Sequence, residues 1–424
     1  MLLIRNLSQI VQIVDDCTTE YLVGNDMRNI KILSSPTSSL CILIENGKIS
    51  FIGLSQSLPP LSPTCHTVDA GRGCVIPSFV DAHTHPVFAG DRVHEFAMKL
   101  AGATYQEVQS AGGGIHFTTM KTREESEENL LEDMKKIAQR MIESGTTTIE
   151  AKSGYGLDEE TEMKMLRVLE RCSHCTPIEI SATFCGAHAV PMDSNEEKQT
   201  DLICTRVIPR IESAKKEGSL CCVENIDVFC EKGNFSLQST ERIVKTGQSI
   251  GLRGNFHAEE LSYLGGAEMG ARIGVRAMSH LEEVSEEGMK DMAEGKVAAV
   301  LLPSTAFILR LTPPPARKMI DKGVIVALGS DFNPNAHCLA MPMIMSLGCV
   351  TMRLSMEESL VAATLNSAYS IGRGTSHGAL ACGRVGDMIV MRTTKWENIT
   401  YQMGGHQHII SHVIKRGKVV HKTE

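Results

Sequence analysis

The stretch Phe79-Val80-Asp81-Ala82-His83-Thr84-His85-Pro86 decides how this chain is read, because an apolar run ends there in His-x-His. In an extended strand side chains alternate faces, so His83 and His85 are expected to project from one side as next-but-one neighbours. Imidazoles held in that way can share a metal ion, with ring nitrogens about 2.0–2.1 Å from a zinc. A strand end fixes the pair, and the loop beyond it can leave the ion open to substrate. The expectation is a metal-dependent hydrolase.

On either side of this stretch the texture differs. Residues 1–77 read as short strands and turns, most clearly Leu40-Cys41-Ile42-Leu43-Ile44 and Ile49-Ser50-Phe51-Ile52 around Asn46-Gly47. Asn-Gly between apolar runs signals a hairpin, since both residues tolerate positive φ. The C-terminal stretch has the same texture, in Asp387-Met388-Ile389-Val390-Met391 and in His412 to Val420. The two ends are therefore expected to build one small β-sandwich domain, residues 1–77 with 380–424.

Residues 78–379 instead alternate strands with helices. Candidate strands are Val75 to His85, Thr146 to Lys152, Ile178 to Ala187, Ile226 to Cys230, Gly254 to His257, Arg276 to His280, Ala298 to Pro303 and Val324 to Asp331. The clearest helix places Leu130, Leu131, Met134, Ile137, Ala138, Met141 and Ile142 on one face, with Thr122 and Glu125 as a capping-box start and Gly145 as a stop. A doubly wound sheet would alternate too. Eight such units over roughly 300 residues, with polar residues at the strand ends, favour an α/β fold of the (β/α)8 TIM-barrel type.

The chain has 424 residues, 42% of them hydrophobic and 22% charged, which fits a large globular protein. No apolar run approaches the roughly 18 residues of a spanning helix. Met1 to Leu7 does not read as a signal peptide, because Arg5 and then Asp15-Asp16 interrupt it. Fourteen cysteines in such a chain imply reduced thiols and a cytoplasmic location. The net charge of −8 argues against a nucleic-acid or anionic-membrane surface, so an anionic substrate needs a local cation.

Barrel active sites gather at the C-terminal ends of strands. The polar residues there are His83, His85, Lys152 with Tyr155, His188, His257 with Glu260, His280, and Asp331 with Asn333. His83, His85, His257 and Asp331 form the set assigned to a metal, because three imidazoles and a carboxylate suit zinc or iron with an open position. Any one of these histidines alone is more simply a hydrogen-bonded polar residue; His-x-His at a barrel strand end, with four matching positions in all, reverses the odds. Glu260 can handle a proton or hold a substrate ring nitrogen, and a solvent-facing acid at a helix start is equally consistent with its spacing. His280 can shuttle that proton. Arg92 is the local cation for an anionic substrate, with a surface ion pair as its plainer reading. His406-Gln407-His408 lies beyond the barrel and reads as a solvated strand or loop. Cys172-Ser173-His174-Cys175 lacks a second pair at zinc spacing and reads as structural. Gly112-Gly113-Gly114 lacks the Lys-Ser/Thr of a phosphate loop and reads as a mobile loop near the site.

Taken together these segments resemble the amidohydrolase superfamily and, more narrowly, its imidazolonepropionase family. The resemblance spans nearly the whole chain. It rests on Val80-Asp81-Ala82-His83-Thr84-His85 with Gly90-Asp91-Arg92, on Lys152-Ser153-Gly154-Tyr155-Gly156-Leu157 and on Gly186-Ala187-His188-Ala189-Val190-Pro191. It continues in His257-Ala258-Glu259-Glu260-Leu261, Ser279-His280-Leu281-Glu282 and Asp331-Phe332-Asn333-Pro334. It implies hydrolysis of 4-imidazolone-5-propanoate to N-formimidoyl-L-glutamate in histidine degradation. By the same resemblance His83, His85, His257 and Asp331 bind one zinc or iron ion. Arg92, Tyr105, Tyr155 and His188 hold the propanoate and ring, with Glu260 and Asn333 completing the pocket. Glu260 or His280 manages the proton of the attacking water, and Asp331 shares in it. The superfamily also implies a homodimer. Val228-Phe229-Cys230-Glu231 offers no lysine to bridge two metals, which favours one ion.

Two departures from the family pattern stand out: Ser78 where many relatives have glycine, and Asn335-Ala336 where they have glycine and a small hydroxyl residue. The rival readings are a nucleobase-type deaminase or other cyclic amidase with the same ligands, and a metal-binding protein without catalysis. The Lys152 to Leu157 segment and Arg92 favour the acid-bearing imidazolone.

Overall fold

The computed structural model describes residues 1–35, 37, 39–102 and 113–423. Eight parallel strands form one sheet in strictly sequential order: Phe79–Asp81, Thr146–Lys152, Glu179–Ala187, Val223–Cys230, Arg253–Ala258, Ala277–His280, Ala298–Leu301 and Ile325–Leu328. Their residues are buried on both faces almost throughout, as a parallel sheet wrapped in helices requires. All eight candidate strands are present, with ends shifted by a few residues.

The shift matters most at the first strand. The expected run from Val75 to His85 is two strands, Cys74–Pro77 and Phe79–Asp81, belonging to different sheets. His83 and His85 therefore stand beyond the strand end and not on it. Their same-side projection survives because Thr84 makes a parallel bridge with Phe332. Ser78, between the two strands, hydrogen-bonds through its hydroxyl to Thr147 Oγ1 at 2.6 Å, so the departure from glycine is absorbed by a polar contact.

The first and last barrel strands meet past their ends, where Asp331 N–H donates to His83 O at 2.9 Å and His85 N–H to Phe332 O at 2.8 Å. Gly329 permits the approach, since a Cβ there would lie 2.8 Å from the Cβ of His83. Closure of the barrel and placement of the His-x-His pair are thus one set of contacts.

The chain ends supply two further sheets. One has four strands, in the order Lys48–Leu54, Leu40–Glu45, Leu2–Leu7, His66–Asp69; the other has six, in the order Lys418–Lys422, Ile410–Lys415, Met388–Met391, Cys74–Pro77, Gln9–Ile13, Lys31–Ser34. Strand alternation divides the six-stranded sheet between two cores. Ile10, Val75, Met388 and Val390 face the four-stranded sheet, while Val11, Ile76, Ile389 and Met391 join the barrel core. The Asn46-Gly47 hairpin is present, with φ of 49° and 78°.

The amphipathic helix spans Glu127–Glu143, and its N-cap is Ser126, whose hydroxyl accepts from Asn129 N–H at 3.1 Å. Thr122 lies instead inside the preceding helix Ile115–Glu124, so the expected capping box is not formed. Gly145 does end the segment, at φ 92°. Cys172 and Cys175 sit in the last turn of the helix Glu159–Cys175, and the described cysteines are all free thiols. His406 and His408 are not in an extended segment: they lie in the short helix His406–Ile409, with His406 buried against Ser144. No helix among the described residues is long and apolar enough to cross a membrane.

Candidate active site at the barrel mouth

At the C-terminal ends of the barrel strands His83, His85 and His257 bring ligand atoms within 4.8 Å of one another. The Nε2 atoms of His83 and His85 are 3.3 Å apart, and Asp331 Oδ1 lies 3.5 Å from the first and 3.7 Å from the second. Two imidazole nitrogens and a carboxylate oxygen this close together make a cradle for a cation. The far ring nitrogens explain the orientation of the rings. His83 Nδ1 bonds Ser279 Oγ at 2.8 Å, and His257 Nδ1 bonds Asp227 Oδ1 at 2.9 Å, leaving Nε2 to face inward. Burial is the main force driving the pKa values of His83 and His85 well below the usual histidine range, which keeps their lone pairs free. The donor set therefore fits a divalent ion such as zinc or iron(II), and Thr305 donates to the remaining Asp331 oxygen.

Beneath this cluster lies a buried charge triad. Lys152 Nζ is 2.7 Å from Glu150 Oε1 and 2.7 Å from Asp227 Oδ2, with all three side chains fully enclosed. Lys152 thus reaches the cluster through Asp227 and His257. Asp227 was invisible in the sequence reading because its role depends on a neighbour across the sheet; its strand, Val223–Cys230, offered the only signal, a charged residue inside an apolar run.

Beside His85, His188 stacks on the imidazole at 4.6 Å with planes 12° apart, and Tyr155 lies 5.3 Å from His188. His188 Nδ1 is held by the Gly154 carbonyl at 3.0 Å, so the Lys152 to Leu157 segment positions both residues. The Arg92 guanidinium is close enough to act electrostatically on Tyr155 and His188. Its Nε donates to Thr118 Oγ1 at 3.1 Å, and Glu95 lies 3.9 Å away.

On the opposite side of the cluster His280 stacks on His257 at 5.1 Å, and its Nε2 lies 3.7 Å from Glu260 Oε2. Burial, and then the neighbouring Glu282 charge, push the Glu260 carboxyl well above the ordinary range. Burial raises Glu282 itself to about 8.

Asn333 turns its side chain into its own loop: Nδ2 donates to Asp331 O at 2.8 Å, and Oδ1 accepts from Asn335 and Ala336 N–H. Asn335 Oδ1 accepts from Lys99 Nζ at 2.6 Å, which ties the loop after the last strand to the helix Val93–Leu100. The departure from a small residue at 335 thus creates a cross-link at the rim. Gly114 N–H donates to Glu95, tying its loop to the same helix, whereas Tyr105 and Gly112 lie outside the described residues.

A profile described as the amidohydrolase family matches residues 254–421, the stretch that carries His257, His280 and Asp331, so site and profile agree on the class. Among solved structures, a zinc-bound adenosine deaminase from Xanthomonas campestris superposes with a TM-score of 0.74 at 16% identity, covering 100% of this chain and 93% of that one. A 5-methylcytosine deaminase from Klebsiella pneumoniae gives 0.72 at 14% identity, covering 100% and 98%. These confirm the fold. Full-length relatives narrow the class further. A probable imidazolonepropionase of Nematostella vectensis is 50% identical over 99% of this chain and 98% of its own. One of Homo sapiens is 48% identical over 100% and 99%. The chain belongs to the imidazolonepropionase family.

Proposed function

We propose that this chain hydrolyses the cyclic amide of 4-imidazolone-5-propanoate to N-formimidoyl-L-glutamate, a step of L-histidine catabolism. The observation that carries the reading is the asymmetry of the site. On one flank of the His83–His85–His257–Asp331 cradle stand a cation and two ring-binding groups; on the other stand a raised carboxyl and an imidazole.

Arg92 takes the propanoate, while Tyr155 and His188 hold the planar ring against His85. One zinc or iron ion in the cradle supplies Lewis acidity, making water a stronger nucleophile and polarising the ring carbonyl. Glu260 accepts a proton as water oxygen adds to the carbonyl carbon. It returns that proton to the ring nitrogen as the amide C–N bond breaks, so that water is consumed and no other co-reactant is needed. Burial raises the Glu260 carboxyl above the ordinary range, which makes its carboxylate a stronger base than an exposed one. His280, facing Glu260, assists that transfer, and Asp331 contributes from the cradle. Residues 78–379 form the catalytic barrel in this reading, and residues 1–77 with 380–424 the supporting β unit. The free thiols fit a reducing, cytoplasmic setting.

The test is loss of ultraviolet absorbance when purified, metal-replete protein meets freshly prepared imidazolonepropanoate. Turnover that a chelator abolishes and added zinc or iron restores supports the reading. Ammonia release from nucleobases, with the imidazolone untouched, would support the deaminase reading suggested by the fold neighbours.

A further inference from the structure

Glu282 has no task in the chemistry above, yet its surroundings are unusual. Its side chain is 1% exposed, and neither oxygen has a hydrogen-bond partner from another described residue. Opposite it, His280 Nδ1 is also buried without a partner, 3.9 Å from Glu282 Oε2. Buried polar groups are nearly always hydrogen-bonded, so two facing orphans call for a shared explanation. From 3.9 Å, a small rotation of either side chain would bring Nδ1 and one Glu282 oxygen into hydrogen-bond range.

The backbone is bent to bring them together. His280 and Leu281 have φ of 76° and 69°, consecutive left-handed residues that are not glycine. Such conformations persist only where the surrounding structure imposes them, and they concentrate at functional sites. Here Leu281 N–H donates to Ala258 O at 3.0 Å and Glu283 N–H to Glu259 O at 2.9 Å, pinning the bend to the strand that carries His257. The bend turns Glu282, two residues beyond His280, back against the imidazole.

We propose that Glu282 is a positioning residue for His280, hydrogen-bonded to Nδ1 and so fixing the ring with Nε2 toward Glu260 and the substrate. The inference rests on the role given to His280 above. The two ring nitrogens of a histidine are distinct, and the bond made by one sets what the other can do. Groups that orient a working imidazole typically account for about tenfold to a hundredfold in activity.

The experiment compares Glu282→Met, Glu282→Gln and His280→Asn in metal-replete protein. Glu282→Met should lower kcat by about tenfold to a hundredfold, with KM and bound metal within twofold of wild type. Glu282→Gln still offers a hydrogen bond to Nδ1 and should recover most of the loss. The melting temperature should not fall in Glu282→Gln, since no existing hydrogen bond is removed. Wild-type kcat in Glu282→Met, or no recovery in Glu282→Gln, overturns the positioning role. If His280→Asn is inactive while Glu282→Met is not, only this inference falls; if both are fully active, the reading of His280 falls with it. In ¹⁵N-labelled wild-type protein the His280 Nδ1 resonance should be that of a hydrogen-bonded nitrogen. A free Nδ1 signal overturns the proposal even if Glu282→Met fails to fold.

Discussion

Arg92 and Lys152 are both buried-side cations near the mouth of the barrel, but their partners separate their roles. Arg92 is shared only loosely with Glu95, at 3.9 Å, which leaves its charge available to an incoming carboxylate. Arg92→Met should therefore raise KM by about tenfold or more with a smaller change in kcat, measured by steady-state kinetics on the imidazolone. An unchanged KM would remove Arg92 as the anchor. Lys152 is enclosed between two carboxylates. Replacing one partner of such a cluster leaves buried charge uncompensated, at a cost of about 3–5 kcal/mol. Lys152→Met should accordingly lower the melting temperature by several degrees, and it should speed loss of metal to a chelator by releasing Asp227 from His257. At this scale the sequence disclosed the residues that carry their own signal, such as His-x-His and the strand-end Asp331. It concealed Asp227 and the individual tasks of Ser279 and Glu282, which depend on what lies alongside them in the fold.

Among the elements, the closest constraint is the approach of the last barrel strand to the first. Gly329→Ala places a methyl carbon 2.8 Å from the His83 Cβ. Overpacking of this kind costs about 1–3 kcal/mol, and here the atom that must yield belongs to a proposed metal ligand. The variant should fold but retain less metal than wild type after gel filtration, with activity falling in step. Full metal retention would show that the seam can widen freely. Element types were legible because period-2 and period-3.6 patterns are strong over long runs. Boundaries were less so. Val75 to His85 reads as one apolar strand, yet Ser78 divides it where the chain leaves one sheet for another. Thr122 and Glu125 satisfy the spacing of a capping box, yet tertiary contacts place the helix start at Ser126. Neither choice is encoded within a few residues.

Across the whole molecule, the barrel floor is joined to the terminal sheets by a partly buried ionic network. Glu179, at the start of its barrel strand, meets Lys415 at 3.0 Å, Arg416 at 2.9 Å, Arg373 at 2.8 Å and His377 at 3.1 Å. Burial acts to raise the Glu179 carboxyl, but the His377 hydrogen bond and the Lys415 charge outweigh it and hold the pKa far below the ordinary range. A carboxyl depressed in the folded state binds fewer protons folded than unfolded. Its stabilisation is therefore complete above the unfolded value near 4.5 and is lost progressively as the pH falls below it. The melting temperature should drop as the pH falls from about 5 to about 3, and the Glu179→Gln variant should show a smaller drop over that interval. Equal slopes in the two proteins would assign the acid sensitivity elsewhere.

The seam between the first and last barrel strands has a consequence for the order of assembly. His83 and His85 lie early in the chain, while Asp331 comes into place only when the final strand docks beside them. A nascent barrel lacking that strand has two or three imidazoles and no carboxylate, a weaker and less selective trap for a metal. If His83, His85, His257 and Asp331 hold the ion as proposed, uptake at full affinity would wait on the last strand, and a bound ion would tie the two ends of the seam together. Maturation of the site and closure of the barrel would then be a single event, and retention of metal would report that the last barrel strand has docked.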